Sequence, residues 1–155
     1  MACAVVVLLG GCSKDTSTGV LPVDAPTPAV EDEDACRTLH EALPDLVADL
    51  PTRAVEPEND WTAAWGDPAI VLTCGGPPAA GFKRISTCTT VNGVDWFIPE
   101  EQLESPSSTD LTMTTVNREQ VVEVRMPAEY WPPATTLADL STVVARSTDK
   151  TGSCV

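Results

Sequence analysis

The sequence predicts an α+β domain: an antiparallel sheet of about five strands, two of its pairs hairpins, with an N-terminal and a C-terminal helix packed on one face and two disulfides. Three observations lead there. Apolar spacing is helical at both ends of the folded region and alternates in between, two turn dipeptides separate the alternating runs, and an even number of cysteines is left for pairing once the amino-terminal two are assigned.

The first helix begins at Asp34, which caps it, and D-A-C-R-T-L-H-E-A-L-P places Ala35, Leu39, Ala42 and Leu43 on one face with Cys36 beside them. Pro44 ends it, and residues 44–51 offer one or two more helical turns before Pro51. Residues 69–74, A-I-V-L-T-C, form a continuous apolar run closed by Gly75-Gly76-Pro77-Pro78, the profile of a buried strand followed by a loop. Residues 85–91 and 94–98 flank Asn92-Gly93, which supplies the two positive φ angles of a type I′ hairpin. A second hairpin joins residues 111–116 and 120–126 around Asn117-Arg118, with Val122, Val124 and Met126 alternating against Glu123 and Arg125. Thr136-Leu137-Ala138-Asp139 reads as a capping box. It opens a last helix to Arg146, with Leu137, Leu140, Val143 and Val144 at helical spacing.

Charge narrows the function classes. The chain has 155 residues with 23 acidic and 9 basic side chains, a net charge of −14 and a pI near 4.1. Nucleic-acid affinity comes largely from Lys and Arg displacing counterions, so a nucleic-acid partner is excluded. The length suits one domain, and 43% apolar residues suffice for its core.

Residues 2–9, A-C-A-V-V-V-L-L, followed by Gly10 and Gly11, fall short of the roughly 20 apolar residues that span a bilayer. They match the apolar region of a signal peptide, and Leu9-Gly10-Gly11-Cys12 looks like a bacterial lipobox. Cys12 would then carry the lipid and become the first mature residue, with two acyl chains giving stable anchoring at the outer face of the cell membrane. A buried strand that happens to end in Gly-Gly-Cys is the competing reading. No Lys or Arg precedes Leu9, so the basic opening of the signal is expected ahead of Met1. The expected organisation is a signal peptide at 1–11, a lipidated Cys and disordered acidic tether at 12–33, and one α+β domain at 34–155. The tether has no apolar periodicity, three prolines, and one Lys14 against five carboxylates. Its acidic run at 31–34 reads as solvated, since consecutive carboxylates do not alternate ligands as a calcium loop does.

Cys3 leaves with the signal and Cys12 is lipidated. Cys36, Cys74, Cys88 and Cys154 remain, and in an exported chain they imply two disulfides with three possible connectivities. Spacing alone favours Cys74 with Cys88. A zinc site would need more than one His or a Cys-x-x-Cys, so no metal and no cofactor is expected.

His40 is the single general base with an ordinary pKa near neutrality, and it falls mid-helix beside Glu41. No Gly-x-Ser-x-Gly, histidine ligand pair or phosphate loop accompanies it. Trp61, Trp65, Trp96, Trp131 and Tyr130 form a more plausible binding set, because aromatic faces stack on sugars or peptides; core packing is the competing use. Trp65 with Asp67, and Trp96 after the hairpin turn, are the candidate binding residues; no catalytic residue is assigned. The favoured function is a non-catalytic protein that binds or scaffolds an envelope protein or glycan. The alternative is a cell-wall hydrolase or transferase using carboxylates such as Asp67 and Asp95, which needs two carboxyls about 5 to 9.5 Å apart.

Four stretches also carry a family likeness: Cys36-Arg37 through Leu39 with Ala42-Leu43-Pro44; residues 64–72, A-W-G-D-P-A-I-V-L; Cys74-Gly75; and residues 91–96, V-N-G-V-D-W. With them the chain resembles a family of actinobacterial lipoproteins, domain of unknown function 3515, over residues 34–146. The resemblance implies that Cys36 pairs with Cys74, leaving Cys88 with Cys154. Members commonly carry Arg before the Cys-Gly, where this chain has Thr73, so no role for a basic residue transfers. It brings no established activity, substrate or cofactor.

Overall fold

The alternating runs pair into one antiparallel sheet of eight strands. In the computed structural model residues 19–104 and 108–154 are described; Cys12 and the lipobox lie outside them. The sheet is built from β2 (Leu46–Val47), β3 (Leu50–Arg53), β5 (Thr62–Trp65), β6 (Ile70–Cys74), β7 (Thr89–Val91), β8 (Val94–Phe97), β9 (Leu111–Val116) and β10 (Val122–Met126), in the order β2-β3-β5-β6-β10-β9-β8-β7. A separate parallel pair joins β1 (Leu21–Pro22) to β4 (Val55–Glu56). Three α-helices, α1 (Glu33–Glu41), the single turn α2 (Glu100–Leu103) and α3 (Ala134–Ser147), and a 3-10 turn at Ala128–Tyr130 complete the regular elements of the described residues. None of them is long and apolar enough to cross a membrane.

Register explains the core. Leu72, Val124 and Met113 stand opposite one another across β6, β10 and β9, and Cys74 opposes Val122 one step further along. Alternation puts these side chains on one face. They join Trp65, Ile70, Trp96, Leu39 of α1 and Leu137, Leu140 and Val144 of α3 in one buried cluster. Disulfides link Cys36 to Cys74 and Cys88 to Cys154.

Both expected hairpins are present, with Asn92 and Gly93 at φ 47° and 82° in the β7–β8 turn and Asn117 at φ 59° in the β9–β10 turn. The sheet nevertheless exceeds five strands. Residues 44–51 form no helical turn: Ala48 and Asp49 adopt φ 50° and 62°, and the chain doubles back as the β2–β3 hairpin. The turn is held from outside, by the Ala48 N–H donating to Asp139 Oδ2 of α3 at 2.8 Å, while Val47 is buried. Strand β5 is only T-A-A-W, too short for alternation to reveal. Helix α3 starts at Ala134, two residues before the expected cap, and Thr136 is buried with its hydroxyl donating to Met126 Sδ at 3.4 Å.

The expected disordered tether is corrected from Gly19 onward. Leu21 N–H donates to Ala54 O and Val23 N–H to Glu56 O, both at 2.9 Å, and Gln120 Nε2 donates to Asp32 Oδ1 at 3.1 Å. Pro28 is buried against Gly75, whose φ of +80° and close approach both require glycine. Backbone pairing and one seated proline thus order a segment whose composition offers no apolar face.

A Cβ on Gly75 would lie 2.5 Å from Pro28 Cβ. Gly75→Ala is therefore expected to destabilise the protein by about 1–3 kcal/mol and to open residues 19–32 to protease, read by urea unfolding and limited proteolysis. An unchanged urea midpoint would show that the segment is not seated there.

Candidate binding site

A gap in the sheet forms where β3 leaves β5. The two strands pair at Thr52 with Trp65 and at Arg53 with Ala64, after which the chain turns off into β4 and pairs with β1 instead. Trp61 O accepts from Cys74 N–H at 2.8 Å. Antiparallel alternation then points the backbone N–H and C=O of Thr62 away from β6, towards β4. Between them lies a cleft of about 430 Å³ lined by His40, Arg53, Val55, Glu58, Asp60 and Thr62.

Local bonds fix this lining. The Cys36–Cys74 bridge pins α1 to β6, and His40 follows Cys36 by one helical turn. Asn59 Nδ2 donates to Pro57 O at 2.8 Å and its Oδ1 accepts from Trp61 N–H at 3.1 Å, which locks the turn carrying Glu58 and Asp60. Arg37 Nε reaches Asp60 Oδ2 at 3.4 Å, and Arg37 also pairs with Asp34 at 3.0 Å. Arg53 is engaged elsewhere: Nε donates to Gly19 O at 2.8 Å, and Nη1 donates to Gly66 O and Asp67 Oδ1. Thr62 is wholly buried and its hydroxyl has no hydrogen-bond partner among the described residues.

A second concavity of about 560 Å³ lies at the opposite edge, between the loop before β7 and α2, lined by Lys83, Ile85, Phe97, Ile98, Glu100 and Leu103. Phe82 packs edge-on to Phe97 with ring centroids 5.4 Å apart.

The candidate tryptophans are not a binding surface. Trp65 and Trp96 are both fully buried, with Nε1 donating to Pro44 O at 3.0 Å and to Ser141 Oγ at 2.9 Å. Each indole fills the core and satisfies its single donor there. Trp61, Trp131 and Tyr130 are half-buried against the same core. Asp67 is exposed and paired with Arg53 at 3.0 Å. Asp95 is buried on β8, accepting from Thr90 Oγ1 at 2.7 Å, Cys154 N–H at 3.0 Å and Asn117 Nδ2 at 3.4 Å. Two strands separate β8, which carries Asp95, from β6, which follows Asp67, so those strands lie about 14 Å apart at ~4.8 Å per strand. The structure does not bring the two carboxylates together as an acid–base pair. It does bring His40 to a cleft, together with Glu58, Asp60 and Thr62, which the sequence did not single out. Among the described residues no group of three His, Cys, Asp or Glu side chains could hold a metal ion.

Burial pushes the Asp95 carboxyl up, but the bonds from Thr90, Cys154 and Asn117 together outweigh it and leave its pKa below the ordinary 3.8. Burial lowers the Arg118 pKa while Asp95 and Asp149 oppose that. A depressed carboxyl pKa adds stability that is present above the unfolded value and lost as pH falls through the folded one. Stability should therefore begin to drop as pH passes below 3.8. Asp95→Asn is expected to lose about 1–3 kcal/mol at neutral pH and to flatten that acid decline, measured by urea midpoints at neutral and acid pH. An unaltered acid profile would remove Asp95 from this role.

Comparison with curated proteins and with solved structures finds no match. The profile of one family, described as a protein of unknown function (DUF3515), matches residues 1–152, and the chain belongs to that family.

Proposed function

We propose that this chain is a lipid-anchored protein of the outer face of the cell membrane that binds a small polar group in the cleft between α1 and β5, without catalysing a reaction. The observation that carries the binding reading is the cleft itself, about 430 Å³ at the gap between β4 and β5, with His40, Glu58 and Asp60 on its lining. Two disulfides support an oxidising compartment outside the cytoplasm, and Leu9-Gly10-Gly11-Cys12 supplies the anchoring signal. The separation of Asp67 from Asp95 gives no support to a carboxylate hydrolase or transferase. Within this reading α1 and α3 together cover one sheet face, which the Cys36–Cys74 bond, the Trp96–Ser141 hydrogen bond and the contact between the two helices favour.

Anchoring is tested by detergent phase partition of the protein expressed in a bacterial host. The wild type is expected in the detergent phase with incorporated fatty-acid label, and Cys12→Ala in the aqueous phase or retained as an unlabelled precursor. An unlabelled wild type in the aqueous phase would refute the anchor.

A further inference from the structure

The two disulfides differ in exposure. Cys36 and Cys74 are wholly buried members of the core cluster, whereas Cys88 and Cys154 are half-exposed and lie outside it. A thiolate in solution must reach a sulfur to displace its partner, so in the folded protein the two bonds are not equally open to exchange. The position of the second bond gives exchange there a consequence. It ties the loop ahead of β7 to the carboxyl-terminal residues, 66 positions away. That loop supplies Lys83, Ile85, Ser86 and Thr87 to one wall of the concavity of about 560 Å³. Residues 83 and 86 bond to each other, with Ser86 N–H donating to Lys83 O at 2.8 Å and Lys83 N–H to Ser86 Oγ at 2.9 Å. The anchors flanking them are Phe82 against Phe97 and the disulfide itself. At the other end of the bond, Cys154 N–H donates to Asp95 Oδ2 at 3.0 Å and Asn117 Nδ2 donates to Cys154 Sγ at 3.6 Å. Neighbouring backbone pairing does not need the bond: residues 89–91 pair with 94–96, and Thr151 N–H donates to Asn117 O at 2.8 Å. Opening it therefore releases residues 83–88 and 152–154 while the sheet and the Cys36–Cys74 link stay in place.

We infer that the Cys88–Cys154 bond is a site of thiol–disulfide exchange in the folded protein, opened by an external thiol that leaves the Cys36–Cys74 bond intact. A thiolate of the reductant attacks one sulfur of the pair; a mixed disulfide forms as the Cys88–Cys154 bond breaks, and the other sulfur leaves as a thiolate. A second thiolate then attacks the reductant's sulfur in the mixed disulfide, so two electrons pass to the protein. The reductant ends as its own disulfide, and Cys88 and Cys154 take up the two protons that its thiols gave up. Two sources offer this chemistry, the cysteine pair of a protein and a small thiol. The inference is independent of the anchor and of the α1–β5 cleft.

The test uses the full chain in detergent micelles, without denaturant, exposed to increasing dithiothreitol and alkylated with iodoacetamide. The protein is then unfolded, fully reduced and labelled with N-ethylmaleimide before peptide mass spectrometry. Cys88 and Cys154 are expected to take the first label at a dithiothreitol concentration about tenfold or more below the one that Cys36 and Cys74 require. Far-UV circular dichroism should be unchanged at that concentration, while amide hydrogen exchange quickens about tenfold or more in residues 83–88 and 152–154 and not in β6, β9 or β10. The double variant Cys88→Ser with Cys154→Ser should show the same exchange without any reductant. Reduced thioredoxin and glutathione, compared at equal thiol concentration, distinguish the sources: faster reduction by thioredoxin assigns the exchange to a protein, and equal or slower reduction to a small thiol. Labelling of all four cysteines together, labelling of Cys36 and Cys74 first, or no first label at Cys88 and Cys154 until the protein unfolds would overturn the inference. So would reduction that leaves hydrogen exchange in residues 83–88 and 152–154 unaltered.

Discussion

The Cys36–Cys74 bond joins the first helix to β6, the fourth strand of eight, and the amino-terminal half of the protein is arranged around it. It spans 38 residues, and closing a loop of that length removes about 4 kcal/mol of chain entropy from the unfolded state. Its positional consequence is greater. On the side before the bond, Pro28 lies against Gly75, the residue that follows Cys74, and Asp32 is held by Gln120. On the side after it, Arg37 and His40 are carried to the β4–β5 gap. One covalent link therefore sets both the path of the segment that leads in from the amino terminus and one wall of the cleft.

The carboxyl-terminal half is arranged differently, around polar groups that are buried and satisfied. Asp95 collects three hydrogen bonds, one of them from the backbone of Cys154, so the second disulfide and the carboxylate hold the same few terminal residues. Beside it Arg118 donates to Thr148 O, Thr148 Oγ1 and Gly93 O, connecting the end of α3 with the turns of both hairpins. A carboxylate so engaged serves the fold. Its depressed pKa has three structural donors behind it, which is why an isolated buried Asp on a strand is poor ground for inferring catalysis.

How much of this was legible in the sequence follows from the range of each interaction. Asn92-Gly93 and the Val122-Val124-Met126 alternation are local signals, and both hairpins stand where they predict. The β2–β3 hairpin was not legible, because its left-handed turn at Ala48 and Asp49 is held by Asp139, which lies 91 residues away in sequence from the backbone it binds. The same holds for residues 19–32, whose order comes from backbone pairing with β4 and from Pro28 against Gly75, neither of which composition reports. Tryptophan was misleading in the opposite sense: Trp65 and Trp96 look like binding residues by type, but their burial is decided by strand register. His40 was visible as a titratable residue; the cleft it lines was not, since Glu58 and a Thr in T-A-A-W carry no motif.

Thr62 stands out against the other buried polar side chains. Asp95, Gln120, Thr136, Ser141 and Thr148 are each hydrogen-bonded within the protein, as buried polar groups are expected to be. What lies beside β5 at this point is set by competition between strands. Had β4 continued the ladder of β3, it would have run along β5 beside Thr62 and filled the gap. It is instead paired with β1, with Leu21 opposite Val55 and Pro22 opposite Glu56, and Arg53 reaches back to Gly19 at the point where the chain diverges. The seating of the amino-terminal segment and the opening of the cleft are thus a single structural event. A segment that composition marks as a passive linker is what keeps β4 off β5, and so keeps the gap beside β5 open.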